Sequence, residues 1–163
     1  MGMKKITLQT EIQEAATVAE LSTTDAQLLA EAKAAAEIAY APYSKFQVGA
    51  AALLANGKIV RGCNQENAAY PVTLCGERVA LFSAATQYPH TPVLALAITV
   101  KSAKGNVDRP LPPCGSCRQV IFESEMRHEQ PIRLILQGDS GSIYCIDSVK
   151  DILPLVFDSS YLE

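Results

Sequence analysis

Cys75-Gly76-Glu77-Arg78, the apolar run Val93–Val100, and Pro113-Cys114-Gly115-Ser116-Cys117 stand close together in a chain of 163 residues. Each cysteine motif opens a segment of helical character. The run between them is continuous and rich in β-branched residues, as in strands buried on both faces. Helix, strand and helix in succession describe a sheet covered by helices. The same stretch carries chemistry. Three thiolates suit Zn²⁺, and three protein ligands leave the fourth tetrahedral position to water, whereas structural sites usually close it. Glu77 stands two residues after the first cysteine, where it can take a proton from that water without being a ligand.

On the N-terminal side, a helix is expected over Asp25–Tyr40 with Thr23 or Thr24 as its cap. Leu28, Leu29, Ala32, Ala36 and Ala39 form its apolar stripe, and Pro42 ends it. Gln47–Leu54 and Lys58–Asn64 read as strands joined at Asn56-Gly57, a strong hairpin signal. Beyond Cys114 the pattern predicts a helix, strands at Ile132–Leu136 and Ser142–Ile146, and a last helix near Ser148–Leu153. The fold class is therefore α/β with a partly parallel sheet. Residues 1–22 are weakly patterned and read as an N-terminal extension without an assigned role. Residues 23–163 read as a single domain, with no repeat or linker.

Composition narrows the function. The formal net charge is −3, from 14 Lys and Arg against 17 Asp and Glu, and no basic run is present. A polynucleotide partner would require clustered cations to neutralise phosphates, so a small, weakly charged ligand is expected. The longest apolar run falls far short of the roughly 20 residues that span a bilayer. Lys4-Lys5 is followed by residues too polar for a signal core, so no membrane is expected and the compartment reads as cytoplasm. Five cysteines, an odd count, point to metal ligands and core residues rather than a disulfide framework.

Cys75 and Cys114 fall at helix starts, where unpaired N–H groups and the helix dipole favour a thiolate. Cys114 and Cys117 share one turn. Arg78 and Arg118, each directly after a motif residue, either donate to the sulfurs and offset their charge or face solvent. The alternative for the cysteine set is a closed structural knot whose fourth ligand is Cys63, Cys145, His90 or His128. Glu77 has no task in such a knot.

The spacing C-x-E…P-C-x-x-C is that of zinc deaminases, and the chain as a whole resembles the small homotetrameric cytidine deaminases. Tyr40-Ala-Pro-Tyr-Ser-Lys-Phe46-Gln-Val-Gly-Ala is similar to the family's opening segment. Gly62-Cys-Asn64-Gln-Glu66-Asn-Ala-Ala-Tyr70 resembles its nucleoside-binding stretch. Leu153-Pro-Leu-Val-Phe157 resembles its C-terminal helix and the segment after it. The resemblance implies a three-layer α-β-α fold with a mixed five-stranded sheet and one Zn²⁺ per subunit. It implies deamination of cytidine and deoxycytidine to uridine and deoxyuridine in pyrimidine salvage. Hydroxide held on zinc would attack C4 of the pyrimidine, with Glu77 as proton shuttle. Asn64 and Glu66 would hold the ribose hydroxyls, Phe46 would pack on base or sugar, and the backbone at Gly76 would read the pyrimidine edge. Phe157 would reach a neighbouring subunit's site in a homotetramer. Gly76 departs from the alanine most often found there.

Each of these roles has a plainer counterpart: Phe46 as core, and Asn64 and Glu66 as residues of a turn at a strand end. Three other functions compete with nucleoside deamination. One is a related zinc deaminase acting on a modified pyrimidine such as a blasticidin-type antibiotic, which would not need the Asn64 and Glu66 pair. An editing deaminase would need basic or aromatic tracks along a strand-binding groove, and a zinc-stabilised binding module would release no ammonia.

Overall fold

The computed structural model describes residues 2–162. Its first helix, α1, spans Thr23–Ala36 and is capped by Ser22, whose side chain accepts from the Asp25 N–H at 3.1 Å. The cap thus precedes the two threonines expected in that role. The helix also ends four residues before Tyr40. Tyr40 is drawn instead into a bridge with Gln65, donating to the Asn64 carbonyl at 3.1 Å and accepting from the Glu66 N–H at 2.9 Å. Tertiary pairing overrides helical propensity there.

The first strand, β1, is the short segment Gln13–Ala15. Strands β2 (Phe46–Leu54) and β3 (Ile59–Cys63) form the expected hairpin. Gly57 sits at φ +79° and its N–H bonds the Leu54 carbonyl, so the turn needs a residue at ease in the left-handed region. Helix α2 spans Gly76–Gln87, β4 Val93–Ser102, α3 Gly115–His128, β5 Arg133–Gln137 and β6 Ile143–Ile146. β4 pairs antiparallel with β2 and parallel with β5, so the sheet is mixed.

The sheet has six strands, in the order β1-β6-β5-β4-β2-β3, and not five. The extra strand is β1, which lies antiparallel to β6 at one edge. Only Ala15 of its three residues is buried, which leaves no periodic pattern to read in the sequence. The expected C-terminal helix is likewise reduced to a single 3-10 turn, Val149–Ile152, with the Ser148 side chain capping the Lys150 N–H. Leu153 precedes Pro154, a position that disfavours helical backbone.

Both faces of the sheet are covered. Ala50, Ala52, Leu96, Ile98, Leu134 and Leu136 pack beneath Leu81 of α2 and Ile121 and Phe122 of α3. Ala51, Ala95, Ala97, Ile135 and Ile143 meet Leu28, Leu29 and Ala32 of α1 on the other side. The result is a three-layer α-β-α arrangement with β4 buried on both faces. Each fully buried leucine or isoleucine contributes about 1.5–3 kcal/mol.

One contact in this frame sets the site. A Cβ at Gly62 would stand 2.3 Å from the Ala80 nitrogen and 2.5 Å from the Gly76 carbonyl oxygen. Glycine there lets the first turns of α2 press onto β3, placing Cys75 and Glu77 over the sheet. Among the described residues no helix is long and apolar enough to cross a membrane.

Candidate active site

Cys75 and Cys114 are the N-caps of α2 and α3, both with extended backbone and neither using its side chain as a cap. Their sulfurs are therefore free to turn toward each other across the two helix starts. Cys114 Sγ lies 4.0 Å from Cys75 Sγ and 3.4 Å from Cys117 Sγ, and all three sulfurs lie within 4.8 Å of one another. A tetrahedral zinc with bonds of about 2.3 Å needs sulfurs roughly 3.8 Å apart, so the set fits the ion. No other His, Cys, Asp or Glu among the described residues joins the group. Cys63, Cys145, His90 and His128 all stand outside it, and the closed knot loses its proposed fourth ligands. The Cys63 sulfur instead accepts from Gln65 Nε2 at 3.3 Å.

The hydrogen bond from Cys117, helped by the Arg78 guanidinium against the cost of burial, brings Cys75 down to about 5. The same bond and its own burial push Cys117 up. A metal takes these cysteines as thiolates, so its binding releases their protons. Burial pushes the carboxyl of Glu77 up, and the negative charge on Cys75 adds to that. Glu77 is only 5% exposed and sits in the first turn of α2.

The two arginines part company. Arg78 Nη2 donates to the Thr73 carbonyl at 3.0 Å and stands 3.7 Å from Cys75 Sγ, so it backs the sulfur. Arg118 reaches no sulfur. Its Nε donates to the Pro113 carbonyl at 2.9 Å and its Nη1 to that of Ile152 at 2.6 Å. It braces the backbone before Cys114 against the C-terminal turn, a length of side chain that neighbouring carbonyls capture before the sulfurs can.

Cys75, Glu77 and Cys114 open onto a cavity of about 370 Å³ that Phe46, Asn64 and Glu66 also line. Asn64 is buried, accepting from the Val48 N–H at 2.8 Å and donating to the Phe46 carbonyl at 2.9 Å. The Glu66 carboxylate accepts from the N–H groups of Tyr43 at 2.8 Å and Ser44 at 3.2 Å. Slight burial raises its pKa, but hydrogen bonds from Ser44 and the Tyr43 backbone outweigh this and hold it below the usual carboxylate range. Both residues are thus turn-fixing groups and cavity groups at once.

Gly76 is buried beside this wall without lining it. A Cβ there would meet the Val48 carbonyl oxygen at 3.0 Å and the Asn64 nitrogen at 3.4 Å, so an alanine fits with a small shift. Phe157 lies away from this cavity, 56% exposed. Its ring stacks on Tyr161 with centroids 5.7 Å apart, and its carbonyl accepts from Gln119 Nε2 at 2.9 Å. The remaining wall, Ser44, Val48, Thr73, Leu74, Leu111 and Pro112, was not anticipated from sequence. The adjacency of Leu111-Pro112 to the Pro113 motif was its one available signal.

This geometry has relatives. Residues 22–129 match the cytidine and deoxycytidylate deaminase zinc-binding region. A cytidine deaminase of Halalkalibacterium halodurans is 43% identical over 130 residues, 80% of this chain and 91% of that protein. One from Sporosarcina psychrophila is 48% identical over 138 residues, 84% and 93% of the two chains. A crystal structure of cytidine deaminase from Burkholderia pseudomallei superposes with a TM-score of 0.71 at 38% identity, covering 84% of this chain and 100% of that one. The chain belongs to the zinc-binding cytidine and deoxycytidylate deaminase family.

Proposed function

We propose that this protein deaminates cytidine and deoxycytidine hydrolytically, giving the uridine products and ammonia. The observation that carries this reading is the cluster of three sulfurs, two of them with a buried carboxylate on the wall of a nucleoside-sized cavity. Cys75, Cys114 and Cys117 hold one Zn²⁺ per subunit, and the ion supplies Lewis-acid activation of water at neutral pH.

The residues of the chain do the rest. Glu77 accepts a proton from the attacking water as the C4–O bond forms. It passes that proton to N3 of the ring. It then takes the proton of the new C4 hydroxyl and gives it to the amine, so that the C4–N bond breaks with ammonia as leaving group and C4=O forms. The low-dielectric surroundings raise its pKa above the usual carboxylate range, which suits a group that carries a proton. Asn64 and Glu66 present the ribose hydroxyls with acceptors and donors already fixed in place by the 43–48 backbone, and Phe46 packs on base or sugar. Phe46, Leu74, Leu111 and Pro112 make the wall largely apolar and exclude bulk water. Gly76, buried behind the wall, sets how close the start of α2 stands to the pyrimidine edge, and Arg78 offsets the charge of the thiolates.

The assembly we infer is a homotetramer with sites shared between subunits. Leu155, Phe157 and Tyr161 are exposed near the C-terminus, and Tyr40, Tyr43, Tyr70 and Phe82 are exposed elsewhere. They form apolar surface of the sort that subunits cover. Phe157 then reaches a neighbour's cavity. Residues 23–163 form the catalytic domain and 1–22 an extension, and the setting is pyrimidine salvage in the cytoplasm.

Ultraviolet absorbance of cytidine with the purified protein, with and without a zinc chelator, tests the activity directly. A spectral change that the chelator abolishes supports it. Intact cytidine with zinc-loaded protein refutes it, and light scattering that gives a monomer refutes the shared site.

A further inference from the structure

We propose that the turn between β5 and β6, with Asp139 at its centre, is a positioning device for this site. It fixes the segment that carries Leu111 and Pro112 to the substrate and Cys114 to the metal. This rests on the deaminase reading of the cavity.

Residues 103–114 join β4 to α3 with no helix or strand of their own. Connections of that length are uncommon in compact domains, and their backbone groups need partners elsewhere. The β5–β6 turn supplies them. Asp139 accepts from the Ser102 N–H through Oδ1 and from the Val107 N–H through Oδ2, both at 3.0 Å. The Ser140 N–H donates to the Val107 carbonyl at 3.3 Å. The side chains of Asn106 and Ser140 exchange two hydrogen bonds, at 2.8 and 3.2 Å. One carboxylate therefore grips the segment at both ends of its first loop.

The fit is also steric. A Cβ at position 138 would stand 2.1 Å from the Val107 carbonyl oxygen, and one at position 141 would stand 1.9 Å from that of Asp108. Gly141 in addition sits at φ +83°. Only glycines let the two backbones approach this closely.

Beyond the clamp the chain runs Arg109-Pro110-Leu111-Pro112-Pro113-Cys114. Three prolines hold φ near −65°, so this stretch transmits a displacement instead of absorbing it. Its far end is tied by Arg118 to the Pro113 carbonyl at 2.9 Å. Leu111 and Pro112 line the cavity and Cys114 is one of the three sulfurs, whereas Asp139 touches neither. Asp139 acts through the segment, as a positioning residue.

The test compares zinc-loaded full-length protein with Asp139→Ala, Asp139→Asn and Gly141→Ala, and with Leu28→Ala, a core control under α1 on the far face of the sheet. Three quantities are read: kcat and KM for cytidine, the half-time of zinc transfer to a chromogenic chelator, and Tm. Asp139→Ala and Gly141→Ala are expected to raise KM and shorten the zinc half-time about tenfold each. Asp139→Asn, which keeps one acceptor, is expected to fall between, and it decides the matter if Asp139→Ala does not fold. Leu28→Ala is expected to lower Tm alone.

The proposal is overturned if the Asp139 variants keep KM and zinc half-time within about twofold of the parent, or if Leu28→Ala moves them equally. A parent that fails to turn over cytidine refutes the deaminase reading instead. The zinc half-times would still decide the link from Asp139 to Cys114.

Discussion

Asn64 donates from its side chain to the Phe46 carbonyl at 2.9 Å while its backbone N–H bonds the Val48 carbonyl at 3.0 Å. The side chain thus carries the β2–β3 ladder one step past its last backbone bond. Its other amide atom accepts from the Val48 N–H at 2.8 Å. The amide acts as a strand extension, holding the start of β2 at the cavity wall. Asn64→Ala takes this side-chain partner from the half-buried Val48 N–H and Phe46 C=O, at a cost of about 1 kcal/mol for each bond. The expected result is a Tm several degrees lower and a KM for cytidine raised far more than kcat is lowered. Steady-state kinetics on the purified variant checks the split. An unchanged KM would separate Asn64 from substrate binding.

Glu77 lines the cavity beside Cys75 and Cys114 and is almost wholly buried. Glu77→Gln keeps its shape and, on the proposed mechanism, removes a proton transfer worth about 10²–10⁴-fold in rate. Zinc content measured on the purified variant should remain one per chain while ammonia release falls by that factor. Loss of zinc together with rate would instead make Glu77 part of the metal's support.

The cysteine motifs were legible because zinc chemistry admits few residue types and because a helix start favours thiolate. The β2–β3 hairpin was legible from Asn56-Gly57, since Gly57 does adopt a positive φ. β1 was not. An edge strand of three residues with one buried side chain carries no alternation. The end of α1 was misplaced because Tyr40 pairs with Gln65, a partner that local propensity does not see. Leu111 and Pro112 were missed for a related reason: an apolar wall uses ordinary core residues, and only the fold says that they face a cavity. Arg118 shows the converse, a motif position whose side chain is captured by the Pro113 and Ile152 carbonyls.

Glu66 sets an acid limit on this wall. An isolated glutamate titrates near 4.5, and here burial is outweighed by hydrogen bonds from Ser44 and Tyr43, so the folded value lies lower. A depressed carboxylate contributes stability above its unfolded pKa and loses it as pH falls through its folded one. Stability of the parent should therefore decline as pH drops below about 4.5, and Glu66→Gln should flatten that decline. Urea midpoints measured between pH 3 and 7, roughly spanning the transition, compare the two. Parallel curves would remove Glu66 from the acid response.

Gly62 links the fold to the metal. A methyl group there would stand 2.3 Å from the Ala80 nitrogen, which is backbone and cannot rotate away. Gly62→Ala should push α2 off β3, at a cost of about 1–3 kcal/mol for overpacking. Because Cys75 caps that helix, zinc should also leave the variant faster. Thermal unfolding and zinc transfer to a chelator read the two effects. A lower Tm with unchanged zinc transfer would mean that the cysteines hold their geometry without this contact.

Arg78 is placed to serve both the sulfur and the loop behind it. Its Nη2 lies 3.7 Å from Cys75 Sγ and 3.0 Å from the Thr73 carbonyl oxygen. Three thiolates on one divalent ion leave a net negative cluster, and a guanidinium at this distance offsets part of that charge. Groups that support ligands in this way typically contribute 10–100-fold in metal affinity. Arg78→Ala should therefore weaken zinc by about that factor in a competition titration. Arg78→Lys restores a charge but not the fixed, planar Nη2 group that reaches sulfur and carbonyl together, so it should recover only part of the loss. If both variants bind zinc as the parent does, the guanidinium supports the Thr73 loop alone, and the thiolate charge is balanced by the helix N-termini.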